Sequence, residues 1–140
     1  MRKLLIAVDG SQHSDHAVLF AVNFVKEHGS VEVHLVNVEP KPVAWQTRGM
    51  EPEAIQSHLH ARGLETLKSA HAILKASGTP HEVHVVLGEV AETIVAKAAE
   101  LGCEAIAMGC SGKGMLAGLV LGSVARKVIH LATLPVTLVK

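Results

Sequence analysis

The chain has 140 residues, the length of one domain, and 49% of them are hydrophobic, which excludes wholesale disorder. Thirteen basic residues balance thirteen acidic ones, so no global field draws the chain to nucleic acid or to an anionic membrane. The longest uninterrupted apolar run is six residues, Ala17 to Val22, where a membrane span needs about 20.

Met1-Arg2-Lys3 leads into Leu4 to Val8 and then Asp9, too short and too soon charged to read as a signal peptide. Cys103 and Cys110 make neither a disulfide framework nor a zinc ligand set by themselves, and the expectation is a cytoplasmic protein. Leu4–Val8 is a short apolar run closed by Asp9-Gly10-Ser11, the pattern of a strand buried on both faces followed by a turn. Ser11 or Ser14 caps the helix that follows. Ala17, Phe20, Ala21, Phe24 and Val25 recur on one face of it, and Gly29 closes it. Val31–Val38 is a second strand, and Glu39–Met50, with Pro40, Pro42 and Trp45, a loop.

Glu51–Ser77 predicts a long helix with Leu64, Leu67, His71 and Leu74 as its inner stripe, stopped by Gly78-Thr79-Pro80. His81–Leu87 is a third strand. A helix with Val90, Ala91, Ile94, Val95 and Ala98 inward runs to about Gly102. Ala105–Met108 is a fourth strand that runs into glycine. Gly122-Ser123 opens a last helix with Val124, Val128 and Ile129 inward, and Leu134–Val139 is a fifth strand. This alternation predicts a single α/β domain over residues 1–140: a doubly wound, Rossmann-like five-stranded parallel sheet with helices on both faces. With strand order 3-2-1-4-5, the ends of strands 1 and 4 meet where the winding reverses, the usual ligand crevice.

Two strand ends carry unusual chemistry. After strand 4 the segment 108–123 holds glycines at 109, 112, 114, 118 and 122. Glycine lets backbone N–H groups approach phosphate oxygens, and a Gly-Ser pair opening a helix adds free amides, a hydroxyl and the positive end of the helix dipole. From Ala105 to Lys140 there is no Asp or Glu, against Lys113, Arg126, Lys127 and Lys140, so an anion site belongs in this quarter. The alternative is a loop whose glycines serve only turns and packing. Familiar motifs fail on spacing. Lys113 is followed by Gly114 and not by Ser or Thr, as a Walker A loop requires. The run from Gly112 is one residue too long for the dinucleotide fingerprint, and a nucleophile elbow on Ser111 needs glycine where Lys113 stands.

Gly109-x2-Gly112-x9-Gly122-Ser123 matches the nucleotide-binding motif of the ATP-binding universal stress proteins, and the resemblance runs through the whole chain. Val8-Asp9-Gly10-Ser11 resembles the end of that family's first strand. Gly88-Glu89 through Met108-Gly109 is similar to its third helix and fourth strand, and Pro135–Val139 to its closing strand. The resemblance implies ATP (or AMP or ADP) between strands 1 and 4. Asp9 would serve the base or ribose, the Val38 backbone the adenine, and Gly109 the ribose. Amides of Gly112, Gly122 and Val124, with the Ser123 hydroxyl, would take the phosphates. Mg or Mn would bind through those phosphates, since no cluster of carboxylates is dedicated to it. The resemblance further implies a homodimer paired through the last strand and a regulatory role in stress, exerted through an unidentified protein partner. Glycines at 114 and 118 make the loop looser than the motif requires, so it closes over ligand.

Other residues were weighed against this reading. His58 and His60 point to different faces of a helix, and His81 and His84 to opposite faces of a strand, so neither pair chelates an ion; no metal site is expected. His13 and His16 share a helical face near the proposed site. Cys110 is either a packed cysteine or a thiolate beside helix-end amides, Trp45 either a loop anchor or a stacking surface, and Asp9 either a ligand contact or a cap. Two other functions remain open: slow ATP hydrolysis or nucleotidyl transfer on the same scaffold, and a dimeric interaction module that binds no nucleotide.

Overall fold

The computed structural model describes residues 1–112 and 121–140; Lys113, Gly114 and Gly118 of the glycine-rich loop lie outside the described residues. Five strands alternate with helices: β1 Lys3–Ala7, α1 Gln12–His28, β2 Glu32–Glu39, α2 Pro52–Ala76, β3 His81–Leu87, α3 Val90–Leu101, β4 Ala105–Gly109, α4 Ser123–Leu131 and β5 Val136–Val139. All four pairings are parallel and the order is β3-β2-β1-β4-β5, as the alternation predicts.

Alternation along β1 builds two cores. Leu4 and Ile6 join Val33 and Leu35 of β2 under Ala17 and Val18 of α1 and Leu67 and Leu74 of α2. Leu5 and Ala7 join Val36 and Ile106 under Ile94 and Ala98 of α3 and Val128 of α4. Strands covered on both faces have no polar side to show, hence their continuous apolar runs.

Three local expectations are corrected. The inner stripe of α2 is Leu59, Gly63, Leu67, Ala70 and Leu74, while Leu64 is exposed and so is His71. The helix lies so close to the sheet that a Cβ on Gly63 would collide with the Val85 side chain and sit 3.0 Å from Asn37 Oδ1. Small residues carry that contact. In α4 the buried positions are Ala125 and Val128, and Ile129 is 45% exposed. The Pro-rich loop contains a turn of 3-10 helix, Ala44–Thr47, with Trp45 72% exposed on it. Among the described residues no helix is long and apolar enough to cross a membrane.

Candidate functional site

The winding reverses between β1 and β4, and the chain beyond each strand is built for close approach. After β1, Gly10 takes φ +81°, and Ser11 caps α1, its Oγ accepting from the Ser14 N–H at 3.2 Å. Asp9 Oδ1 accepts from the Ser11 N–H at 2.9 Å, so the carboxylate is steadied by its own turn.

After β4, Gly109 meets the first turn of α1. A Cβ there would sit 2.8 Å from the His13 carbonyl carbon and 2.9 Å from the Ser14 nitrogen, so packing alone demands glycine. At Gly112 a Cβ would run into Asp9 Oδ2. The Gly122 N–H donates to the Cys110 carbonyl at 2.7 Å and closes the neck of the glycine-rich loop. Gly122 is then the N-cap of α4, with no side chain among the described residues bonded to the helix start, and its carbonyl accepts from the Arg126 N–H. The amides of the first turn of α4 are therefore open at the positive end of its dipole.

Between these ends lies a cavity of about 310 Å³. Its lining includes Asp9, Val38, Gly109, Gly112, Gly122, Ser123 and Val124, the residues that the family resemblance assigns to the nucleotide. Val36, Val90, Ile94 and Met108 add apolar wall. The β1–β2 ladder ends at Ala7–Val36, followed by Val8 N–H to Val36 O at 2.9 Å. Alternate residues of a strand direct their polar groups to the same edge, so those of Val38 face the β1 side two residues beyond that ladder. Ser14, Asn37 and Ser111 also border the cavity and were not expected there. Ser14 is 2% exposed, and its Oγ has no hydrogen-bond partner among the described residues. Such a serine lies inside the first helical turn, where sequence alone reads a cap; an Asn interrupting an apolar strand was the one available signal for Asn37.

His13 reaches back to the loop. Its Nδ1 lies 2.5 Å from Ser111 Oγ and 3.7 Å from the buried Cys110 Sγ. Its ring is 6.1 Å from that of His16, whose Nδ1 lies 2.6 Å from the Lys140 carbonyl oxygen. Trp45 is not among the lining residues.

The cation excess of the last quarter is partly spoken for. Lys127 Nζ lies 2.5 Å from Glu92 Oε1 of α3. The hydrogen bond holds the Glu92 carboxyl below the usual carboxylate range and raises the Lys127 ammonium above its ordinary value. Cys103 packs in the α3–α4 core, where burial pushes its thiol up.

Comparison with known proteins agrees with this architecture. The family model described as "Universal stress protein family" matches residues 1–140. Universal stress protein MJ0531 of Methanocaldococcus jannaschii is 32% identical over 139 residues, covering 99% of this chain and 82% of that protein. Universal stress protein YxiE of Bacillus subtilis is 32% identical over 146 residues, covering 99% and 98%. Among solved structures, hypothetical protein MJ0577 superposes with a TM-score of 0.81 at 27% identity, covering 99% of this chain and 95% of that one. The universal stress protein from Archaeoglobus fulgidus in complex with dAMP gives a TM-score of 0.70 at 29% identity, covering 100% and 98%.

Proposed function

Because the chain belongs to the universal stress protein family, we propose that it binds an adenine nucleotide, ATP foremost and AMP or ADP on the same contacts, between β1 and β4. The single observation that carries this reading is the cavity itself. One end is apolar, with Val36, Val38, Ile94 and Met108. The other combines Gly112, Gly122 and Ser123 at an uncapped helix start. An apolar slot suits a purine, and open helix amides suit phosphate. The dAMP complex of the Archaeoglobus fulgidus relative supports the same ligand class.

In this reading the Val38 backbone meets the adenine edge, Asp9 and Gly109 the sugar, and the amides of Gly112 and Val124 with the Ser123 hydroxyl the phosphates; the Gly122 N–H, expected among them, is already given to the Cys110 carbonyl, so Gly122 contributes close approach and not its amide. The residues fit such a ligand: Ser14 Oγ is a buried polar atom that borders the cavity without a partner among the described residues. Asp9 is the one carboxylate in the lining. Mg or Mn would therefore be held chiefly by the phosphates, whose charge it would neutralise. Nucleotide would bias the loop between Gly112 and Gly122 and so present a regulatory surface to a partner protein under stress.

The same reading includes a homodimer through β5. Pro135 O and Val139 O accept from Ile106 N–H and Cys110 N–H, so the odd-numbered residues of β5 direct their polar groups to β4. Those of Val136 and Leu138 face the outer edge, which a second copy can pair.

Nucleotide released from gently denatured protein and identified by chromatography tests the binding reading, together with a thermal-shift titration with ATP and Mg. Ligand at about 100 times its Kd adds about 2.7 kcal/mol. No released nucleotide and no shift at millimolar ATP would overturn it. One observation favours a second reading, slow ATP cleavage: the His13–Ser111 pair places a base on a hydroxyl at the cavity wall. Single-turnover ATP cleavage by the wild type and Ser111→Ala separates the two.

A further inference from the structure

Away from this cavity, on the N-terminal halves of β2 and β3, the sheet register brings together a second cluster. His34 is paired with Glu82, and Val36 with His84. His34 is 2% exposed, a buried imidazole between Val33 and Leu35. His34 Nδ1 lies 2.9 Å from His84 Nε2. Glu82 Oε2 is 3.5 Å from His34 Nδ1 and 3.8 Å from His84 Nε2.

We propose that His34, Glu82 and His84 form a binding site for one divalent cation of the zinc class. The first argument is geometric. A triangle with edges of 2.9, 3.5 and 3.8 Å has a circumradius of about 2.0 Å, and zinc binds imidazole nitrogen and carboxylate oxygen at about 2.0–2.2 Å. An ion can therefore touch all three atoms with sub-ångström adjustment. The second argument is the tautomer. His34 Nε2 lies 2.7 Å from Glu32 Oε1, so its proton is donated there and Nδ1 keeps its lone pair toward His84 and Glu82. A carboxylate behind a ligating histidine is the usual support of a metal site. Without metal, His84 Nε2–H donates to His34 Nδ1. The cation takes the place of that proton, and His84 shifts to its Nδ1–H tautomer.

The donor set names the ion class: two imidazoles and one carboxylate suit zinc and its neighbours over calcium or magnesium. The Glu82 side chain is 66% exposed, so the site opens to solvent and leaves a further position for water. Lys97, the nearest opposing charge on α3, is itself paired with Glu100 at 3.2 Å. Binding would cross-link β3, one of the two edge strands of the sheet, to β2 through side chains.

The test is calorimetric titration of the chelator-stripped full chain with Zn²⁺, with Co²⁺ absorption as a second readout of coordination. One ion per chain is expected, with micromolar or tighter affinity. His84→Ala and Glu82→Gln should each weaken it at least about tenfold, and Glu32→Gln about 10–100-fold. His71→Ala should leave it unchanged, although His71 Nδ1 lies 2.7 Å from His81 Nε2 in a separate pair. Glu82 is exposed, so Glu82→Gln keeps the test readable if His84→Ala does not fold. No saturable uptake of Zn²⁺ by the wild type, or uptake that survives both His84→Ala and Glu82→Gln, would overturn the site.

Discussion

His13 Nδ1 and Ser111 Oγ are 2.5 Å apart, although 98 positions separate them in the chain. The bond joins the first turn of α1 to Ser111 of the cavity lining, just beyond β4. Ser111→Ala breaks it and should cost about 1 kcal/mol of stability, read by denaturant unfolding. In the binding reading the fate of ATP in a single-turnover mixture is the same for wild type and variant. Faster cleavage by the wild type would move the protein into the enzyme class.

Ser123→Ala removes one hydroxyl at the start of α4 and creates no new contact. Nucleotide affinity should fall about fivefold, equivalent to about 1 kcal/mol, while the melting temperature without nucleotide stays close to wild type. Equal affinities by calorimetry would remove Ser123 from the phosphate contacts.

Two glycines separate packing from binding. Gly109→Ala sets a methyl against the backbone of His13 and Ser14, which cannot move aside, and should cost about 1–3 kcal/mol with or without nucleotide. Gly112→Ala presses instead on the exposed side chain of Asp9, which can turn aside by giving up its bond from the Ser11 N–H. Its stability should change less, and its thermal shift with ATP should be lost. If Gly112→Ala shifts with ATP like the wild type, the glycine serves the loop alone.

The Glu92–Lys127 bridge couples α3 to α4, and its pH window follows from both shifts. The lowered Glu92 contributes stability above its unfolded value of 4.5, lost as pH falls through the folded one. The raised Lys127 contributes below 10.5, lost as pH rises through its folded value. Both groups are at the surface, so the effect is small and should shrink in high salt. Lys127→Met should flatten the acid limb of stability below pH 4.5, and an unchanged limb would rule the bridge out as its source.

Leu138→Pro removes an outer-edge N–H from β5 without touching the bonds to β4, and also trims core packing. If the wild type pairs through this edge as proposed, light scattering should report dimers for it and monomers for the variant, with circular dichroism confirming the fold. A dimer that survives would direct attention to another surface.

The strands were legible because burial on both faces leaves continuous apolar runs such as Leu4–Val8 and Ala105–Met108. The crevice was legible because Gly109, Gly112, Gly122 and Ser123 combine with a topology that places β1 beside β4. The misreadings share a cause. A hydropathy stripe favours Leu64 over Gly63, whereas close helix–sheet approach favours the small residue. The turn Ala44–Thr47 has no apolar period to announce it. Lys127 finds Glu92 across 35 positions, and His34 finds Glu82 and His84 only through strand register. No local pattern carries contacts of that kind.

The 2.7 Å bond from Gly122 N–H to Cys110 O has a consequence for how this protein can change over generations. The segment it closes leaves and rejoins the scaffold at one point, so its length is decoupled from the register of β4 and the start of α4. Lengthening a loop between fixed ends costs only about 0.6 kcal/mol per doubling. Residues can be inserted, exchanged or deleted there while the sheet and its helices stay where they are. The neck fixes the two ends of the segment, so sequence change between them need not disturb the sheet or its helices.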